Sequence, residues 1–385
     1  MSRHDSRRSS SPADAVVVGA GPAGSAAAIM LARAGRRVLL LEKDRFPRPK
    51  VCGEFLSSDA LPLLDRLGAR RAVEEQGPER IERGFFCLPR GAAVSFRLPA
   101  PAFGISRFFL DDLLARLARE AGADVRFGAR VISIERDPEE GFRVRYTQEQ
   151  LTEEIRARAA VGAWGRWDSL DRKLDRGFLR RGRRFFGWSR DYCGDTSAFG
   201  SEVRLYVFAG GYCGLSRVEG GAVNLAGVIS ESRRRRLPPG WEAVCEHARK
   251  SNPAFDRSLA PLVPGPTGFL GTGPVFFTAK PPIEGGILMA GDAAGVIDPF
   301  SGEGQSAALA SGVLAAQTIE RFLSGEFRPD QLPRTYEDAW RLRFARRFRW
   351  STALRPLILH PFAGAIAGRL AGDRLIRFGI AATRR

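Results

Sequence analysis

One stretch near the start of the chain constrains the fold more than any other. An apolar run at 15–18 predicts a buried strand, and a second apolar run at 38–41 ends in Glu42. Between them, a run of small residues predicts a helix from about Pro22 to Ala34. Because two parallel strands need a crossover connection, this order predicts a βαβ unit. We therefore expect an α/β protein built on a parallel, Rossmann-like sheet.

Three glycines with the spacing G-x-G-x-x-G join the first strand to the helix. Gly19 permits a tight turn, Gly21 lets the backbone approach a diphosphate, and Gly24 lets the helix and strand pack closely. Pro22 and Ala23 begin the helix, whose N-terminus presents unpaired N–H groups and a positive dipole end to the phosphates. The carboxylate that ends the second strand can accept hydrogen bonds from an adenosine ribose. Together these features predict a site for an adenine dinucleotide.

The composition is that of a globular protein. Of the 385 residues, 44% are hydrophobic and 27% are charged, which is enough apolar material for a sizeable core. The net charge of +17 comes mainly from arginine, but no nucleic-acid-binding module accompanies it. We interpret the charge as a solvated basic surface that also meets phosphates, and we expect no nucleic-acid partner.

The cysteines and histidines predict neither a disulfide framework nor a metal site. The five cysteines are scattered without a C-x-x-C pair, and the three histidines have no second ligand at metal spacing. Reduced thiols favour a cytoplasmic location. No apolar run is long enough for a transmembrane helix. The first 12 residues, basic and rich in serine, predict a disordered leader.

Patches of strand-like alternation interrupt the nucleotide-binding pattern. They occur on both sides of Gly91 and again at 198–209, 212–218 and 222–229, where Gly-Gly turns indicate hairpins. We expect an interleaved, β-rich substrate domain and a helical C-terminal region. The predicted ranges are 13–80, 105–170 and 271–325 for the discontinuous nucleotide-binding domain, 81–104 and 171–270 for the substrate domain, and 326–385 for the C-terminal region.

The segment after the second strand carries a family resemblance. It reads D-R-F-P-R-P-K-V-C-G-E over 44–54. With the glycine motif, it resembles the FAD-dependent oxidoreductases that include geranylgeranyl reductases, aromatic-ring monooxygenases of the p-hydroxybenzoate hydroxylase type and flavin halogenases. The Lys50-x-Cys52-Gly53 signature is most similar to the geranylgeranyl reductase branch. The resemblance implies that Lys43 and Arg45 lie along the FAD phosphates and that the Cys-Gly-Glu segment lines the substrate side of the flavin.

Further positions match the same family. Arg107, just before a predicted helix, is implied to contact the ribityl or phosphate part of FAD, a solvated arginine being the alternative. Gly291 and Asp292 match a Gly-Asp pair in which the aspartate holds the ribityl chain. The loop that follows is implied to meet the flavin ring, and the helix N-terminus after it can stabilise an anionic reduced flavin. The loop positions expected to bind the cofactor are Pro299, Gly302 and Gly304.

Two departures from the family bear on function. Where the monooxygenases have an Asp-Gly pair, this chain has Ala163-Trp164-Gly165-Arg166, which puts NAD(P)H handling by this segment in doubt. The halogenase signature W-x-W-x-I-P is absent, which argues against a halogenase.

The resemblance implies an FAD-dependent oxidoreductase with a small apolar substrate and NAD(P)H as electron donor. The leading expectation is a monooxygenase that hydroxylates an aromatic or polyketide-like substrate, and the alternative is reduction of isoprenoid C=C bonds. A third alternative, of another class, is a flavin-binding partner without turnover. The candidates for proton transfer are Cys52, Glu54 and Tyr212. A small buried thiol would equally explain Cys52.

Two segments each allow two interpretations. Tyr212, Cys213 and Leu215 are candidates for the wall of the substrate pocket, and core packing explains them equally well. The C-terminal region combines arginines and aromatic residues with an apolar segment at 354–367. It can form a lid over the substrate domain or a peripheral contact with the inner face of a membrane.

Overall fold

Two β-sheets and ten helices make up the described part of the computed structural model, residues 12–89, 93–137, 139–180, 183–197 and 199–359. The strands are β1 Ala13–Val18, β2 Val38–Glu42, β3 Phe55–Leu56, β4 Glu79–Cys87, β5 Ala93–Gly104, β6 Asp124–Phe127, β7 Arg130–Asp137, β8 Gly141–Gln148, β9 Leu151–Gly162, β10 Phe185–Gly194, β11 Glu202–Phe208, β12 Gly211–Arg217, β13 Val223–Ser230, β14 Leu262–Pro264, β15 Leu270–Val275, β16 Ile283–Glu284 and β17 Ile287–Met289. The helices are α1 Pro22–Arg33, α2 Leu61–Leu67, α3 Arg70–Glu75, α4 Arg107–Glu120, α5 Ser169–Lys173, α6 Glu231–Arg234, α7 Trp241–Ser251, α8 Pro253–Leu259, α9 Gly304–Leu323 and α10 Leu332–Leu359.

The first sheet confirms the predicted βαβ unit. Its parallel strands run in the order β17-β9-β1-β2-β6, and Val16 of β1 lies opposite Leu39 of β2. Helix α1 begins at Pro22 because Gly21 takes the extended N-cap conformation, and it ends one residue before the predicted Ala34. All five residues of β2 are buried, as expected for a parallel sheet that is covered on both faces. The α/β, Rossmann-like prediction is therefore correct.

The second sheet is mixed and has nine strands in the described part of the chain. The predicted hairpins are present, since β4 pairs with β5, and β12 pairs with both β11 and β13, all antiparallel. One parallel pairing, β4 with β11, joins the early piece of this sheet to the late one. The turn expected at Gly91 lies outside the described residues. The sheet also includes β3 and most of β15, which the ranges predicted for the substrate domain leave out, and the division into domains stays a prediction.

Two helices interrupt the stretch that the sequence pattern predicted to be β-rich. In α7 the buried residues Val244, Cys245 and Ala248 share one face, and they join the core of the second sheet. The side chain of Asn252 accepts hydrogen bonds from the N–H groups of Ala254 and Phe255 and so caps α8. These short amphipathic helices cover one face of the sheet.

The last two helices pack against the nucleotide-binding layer. Gly312 of α9 lies against the backbone of Ala23 in α1, where any Cβ would overlap the Ala23 carbonyl. Helix α10 buries Tyr336, Trp340 and Phe344, spaced four residues apart. The predicted helical C-terminal region is confirmed as far as α10 extends, and its remainder, like the predicted leader except residue 12, lies outside the described residues. In the described part of the chain, no helix is both long and apolar enough to cross a membrane.

Candidate active site

A cavity of about 560 Å³ lies at the carboxyl ends of the parallel strands, where open α/β sheets bind their ligands. Its lining comes from the loops that follow β1, β2, β9 and β17, and from the facing strands of the second sheet. Fifteen of the seventeen residues predicted to form the site line it. They are Gly19, Gly21, Pro22, Ala23, Glu42, Lys43, Cys52, Glu54, Arg107, Tyr212, Gly291, Asp292, Pro299, Gly302 and Gly304.

Of the three glycines of the first motif, two are required by packing, and Gly21 leaves space for a ligand in the cavity. Gly19 has φ +100°, and a Cβ there would overlap the carbonyl of Ala163. A Cβ on Gly24 would likewise overlap the carbonyl of Gly19, so both glycines are required by the protein's own packing. A Cβ on Gly21 would approach no protein atom more closely than Nη2 of Arg107, at 3.8 Å. The small size of Gly21 therefore leaves room for a group inside the cavity, as a diphosphate requires.

Glu42 is held in place for a ribose. It is only 5% exposed, and its two carboxylate oxygens accept hydrogen bonds from the N–H groups of Ala20 (2.8 Å) and Asp44 (3.1 Å). A carboxylate has about four acceptor sites, so two remain for the hydroxyls of an adenosine ribose. The carboxyl group stays at the end of β2 because both donors are backbone groups.

Arg107 lies at the cavity beside Gly21, within a buried cluster of charges. Asp111 receives a bidentate contact from Arg107 (2.7 and 2.8 Å) and lies 2.7 Å from Nζ of Lys50. Burial opposes ionisation of Asp111, but the two cations hold its pKa below the ordinary value. The cluster fixes two positive side chains, one of them predicted, at the position where the diphosphate is expected.

The segment after β17 is fixed by main-chain and side-chain contacts. Gly291 has φ +61°, and its N–H donates to the hydroxyl of Ser311 in α9. The side chain of Asp292 lines the cavity with Nε of Arg166 at 3.5 Å from its carboxylate. Lys280, only 3% exposed, donates to the backbone oxygens of Asp292 and Arg166. These contacts present the Asp292 carboxylate to the cavity, as the ribityl prediction requires.

Tyr212 supports the loop at 298–302, because its hydroxyl group makes hydrogen bonds with two residues of that loop. The hydroxyl donates to the carboxylate of Asp298 and accepts from the N–H of Phe300 at 3.0 Å. Burial, together with the charge of Asp298, raises the pKa of Tyr212 well above its ordinary value. Arg355 of α10 completes the group with a 2.7 Å contact to Asp298. This arrangement makes Tyr212 a residue that positions the loop.

Cys52 and Glu54 lie side by side in the cavity wall. Sγ of Cys52 accepts from the N–H of Glu54 at 3.3 Å and lies 3.8 Å from Nε2 of Gln305. The Glu54 carboxylate is 7% exposed and accepts from the N–H of Arg107 at 2.9 Å. Burial, reinforced by the charges of Asp191 and Glu219, raises the pKa of Glu54 from 4.5 to about 8. Burial therefore favours the protonated form of this carboxyl over the ionised form.

Strand β12 divides its residues between the cavity and the core. Side chains alternate along a strand, so Tyr212, Gly214 and Ser216 face the cavity. Cys213 and Leu215 point to the other face and pack in the core of the second sheet. Both interpretations offered for this segment are thus correct, each for alternate residues. The apolar residues of the facing wall include Phe96, Leu98, Val203, Leu205, Phe277 and Phe300.

Two predicted residues lie away from the cavity, and others were missed. Gly24 packs helix against strand, and Arg45 is 74% exposed with Glu149 at 3.7 Å, while the nearby Arg48 lines the cavity instead. Lys280 and Gln305 were not predicted, because no local pattern marks either one as a neighbour of this site. In the described part of the chain, no cluster of His, Cys, Asp or Glu could hold a metal ion.

Comparisons with known proteins agree with this geometry. A family model described as an FAD binding domain matches residues 12–184. The chain is 31% identical over 336 residues to menaquinone reductase of Mycobacterium tuberculosis, covering 80% of this chain and 76% of that protein. It is 30% identical over 344 residues to digeranylgeranylglycerophospholipid reductase 1 of Methanopyrus kandleri, covering 87% and 88%.

Among solved structures, the flavin-dependent brominase Bmp2 superposes with a TM-score of 0.80 at 20% identity, covering 97% of this chain and 94% of that one. At that identity the likeness establishes the fold alone. The relatives and the FAD-binding family model also identify the family. From the cavity and these relatives together, the chain belongs to the FAD-dependent oxidoreductases of the superfamily that contains the geranylgeranyl reductases and the aromatic-ring monooxygenases.

Proposed function

We propose that this enzyme reduces a carbon–carbon double bond in an isoprenoid chain, with FAD in the cavity and NAD(P)H as the source of electrons. The observation that carries the proposal is the position of the buried Glu54 carboxyl in the cavity wall, next to Cys52, where burial raises its pKa. Addition of hydrogen to an isolated double bond needs a proton at one carbon and a hydride at the other. Two relatives that cover most of this chain are named as reductases, and one of these names specifies geranylgeranyl chains.

Different residues of the chain would bind different parts of FAD. Glu42 would hold the adenosine ribose, Gly21 and Arg107 would face the diphosphate, and Asp292 would hold the ribityl chain. When bound, FAD supplies the two-electron chemistry. The chain's own contribution is position, exclusion of water and a proton.

Glu54 is the proposed proton donor. In the balanced reaction the π bond breaks and two C–H bonds form, one with a hydride equivalent from NAD(P)H, which becomes NAD(P)⁺, and one with the proton of the Glu54 carboxyl. A proton from the solvent then restores that carboxyl. The N–H of Arg107 holds one carboxyl oxygen at 2.9 Å, which keeps the acid at a fixed place in the wall. A general acid is most effective when its pKa lies near the working pH, and a value of about 8 meets this condition.

The opposite wall suits a hydrocarbon substrate. Leu98, Val203 and Leu205 present branched aliphatic side chains to the cavity, and Gly214 of β12 leaves space beside Leu205. An unsaturated hydrocarbon chain would lose its water shell here without leaving a polar group unpaired.

Hydroxylation of an aromatic substrate is the second candidate. Aromatic side chains also line the cavity, and flat rings pack well against such walls. They are Phe55, Phe96, Trp164, Trp167, Tyr212, Phe277 and Phe300. We place this candidate second because a buried carboxyl with a raised pKa, such as that of Glu54, has a direct use as the proton donor in double-bond reduction. A flavin-binding partner without turnover is not carried further, because relatives over most of the chain are enzymes.

Hydroxylation requires oxygen and double-bond reduction does not, so experiments with and without air distinguish the two reactions. FAD-loaded protein would be incubated with NADPH or NADH and with geranylgeraniol or menaquinone, with and without air, and the products weighed by mass spectrometry. A product formed without air that still carries two extra hydrogen atoms after any quinol has been reoxidised supports the reductase. A product that gains one oxygen atom only in air would transfer the assignment to hydroxylation. Glu54→Gln should keep FAD and lose most of the reduction, and unchanged reduction by this variant would remove the role of Glu54.

A further inference from the structure

The outer face of α10 is basic, and in the described part of the chain no carboxylate lies within salt-bridge distance of it over the second half of the helix. After Asp338 the next acidic residue in the sequence is Asp373, and seven arginines stand between them. Leu342, Arg346, Arg349 and Ala353 follow one another at helical spacing and form a single exposed stripe. Leu342 is 89% exposed, the highest value among the large exposed hydrophobic residues of the described chain.

These arginines differ from those on α3. Both arginines of that helix pair with acids one turn away, as Arg71 does with Glu75 at 2.7 Å. Within the described residues, Arg343, Arg346 and Arg349 have no carboxylate within 4.0 Å. The three guanidinium groups are therefore available to an external anion.

Other arginines add to the charge at one side of the stripe. Burial and the neighbouring charges of Arg347 and Arg66 lower the pKa of Arg343. The mutual repulsion of arginines held close together decreases when an anion binds between them. The stripe and its flank thus form a positively charged surface with an apolar side chain within it.

The inner face of the same helix rests on the cofactor loop. Ser351 accepts a hydrogen bond from the N–H of Asp298 at 3.0 Å, and Arg355 pairs with the Asp298 carboxylate at 2.7 Å. One turn earlier, Arg347 lies 3.9 Å from Glu303. The basic surface therefore lies on the outer face of the helix whose inner face holds the loop that lines the cavity.

We propose that the outer face of α10 docks on the surface of an anionic lipid bilayer. Arginines near such a surface are attracted by its negative potential, and an exposed leucine gains by entering the interfacial region. A nucleic acid would match the arginines but would gain nothing from Leu342, which favours the bilayer. The docking is independent of which reaction the cavity catalyses.

The test is co-sedimentation of the full chain with vesicles of phosphatidylcholine, with and without phosphatidylglycerol. We expect the protein to sediment only with the anionic vesicles and to be released by salt. The triple variant Arg343→Gln/Arg346→Gln/Arg349→Gln should bind with a partition coefficient lower by roughly 100-fold. Leu342→Ser should weaken binding by a few fold, roughly, without changing the salt dependence.

A matched control removes the same charge elsewhere. Arg97, Arg236 and Arg257 are exposed, and no ion pair is found for them among the described residues, so Arg97→Gln/Arg236→Gln/Arg257→Gln should bind as the wild type does. All variants should keep their FAD content and thermal unfolding. The proposal fails if the wild-type protein ignores anionic vesicles, or if both triple variants lose binding equally. It also fails if a mixed-sequence RNA, and not the vesicles, binds in a manner that requires the α10 arginines.

Discussion

The ammonium nitrogen of Lys280 lies 2.7 Å from the backbone oxygen of Asp292. The same nitrogen donates to the backbone oxygen of Arg166, so one buried amine joins the segments that follow β17 and β9. Burial lowers the pKa of Lys280 to about 7. Both segments line the cavity. Lys280 therefore holds two segments of the cavity wall in place without lining the cavity itself.

Replacement of this lysine should weaken FAD binding. Lys280→Met keeps the length of the side chain but removes both hydrogen bonds, so we expect the affinity for FAD to fall roughly tenfold. Quenching of FAD fluorescence in a titration of the apoprotein measures the change. Lys250→Met is the control, because Lys250 is 75% exposed on α7, far from the cavity lining. An affinity equal to that of the wild type would show that the carbonyl contacts do not position Asp292.

The buried carboxyl of Glu54 should make stability depend on pH. Between pH 4.5 and about 8, the folded chain keeps a proton on Glu54 that the unfolded chain has released. The free energy of unfolding should therefore fall as the pH rises through this window. Glu54→Gln is neutral at every pH and should lose this contribution. Urea denaturation of both apoproteins across the window measures it, with the exposed Glu75→Gln as control, and parallel pH curves for the two proteins would contradict the prediction.

Two neighbouring glycines should respond differently to alanine. Gly19→Ala forces a side chain into a left-handed backbone and into the Ala163 carbonyl, so we expect a loss of stability on the order of 3 kcal/mol. Gly21→Ala meets no such obstacle and should leave the apoprotein as stable as the wild type. It should nevertheless reduce FAD binding strongly, because its methyl group would occupy the diphosphate position.

Thermal unfolding without FAD, followed by FAD titration, separates the two glycine effects. Tight FAD binding by Gly21→Ala would show that the diphosphate lies elsewhere.

Asp292 should be needed for retention of FAD. Loss of a hydrogen bond to a charged group costs about 1.5–3 kcal/mol, so Asp292→Ala should lower the affinity by at least roughly tenfold. The absorbance ratio of flavin to protein after purification measures the occupancy. Asp330→Ala, on an exposed turn, is the control. Full yellow occupancy of Asp292→Ala would remove the role given to this residue.

The sequence was most informative where the structure depends on neighbours in the chain. The βαβ unit, its glycines and the hairpins of the second sheet follow from local spacing, and they were predicted closely. Tyr212 bonds to Asp298, which Arg355 also contacts, and these residues are far apart in sequence, so Tyr212 could be predicted at the site without its partner. Helix α7 was missed because its short apolar face lies among strands. Arg45 was misplaced because a loop's direction decides which of several arginines faces inward.

The contact between Gly312 and Ala23 has a consequence for cofactor choice. Helices α1 and α9 touch there through their main chains, and each begins at the cavity, at Pro22 and at Gly304. With no side chain between them to yield, the separation of these two starting points is fixed. We therefore expect the chain to select its cofactor by molecular length, so that FMN, which lacks the adenosine half, would reach only one of the two helices and bind poorly.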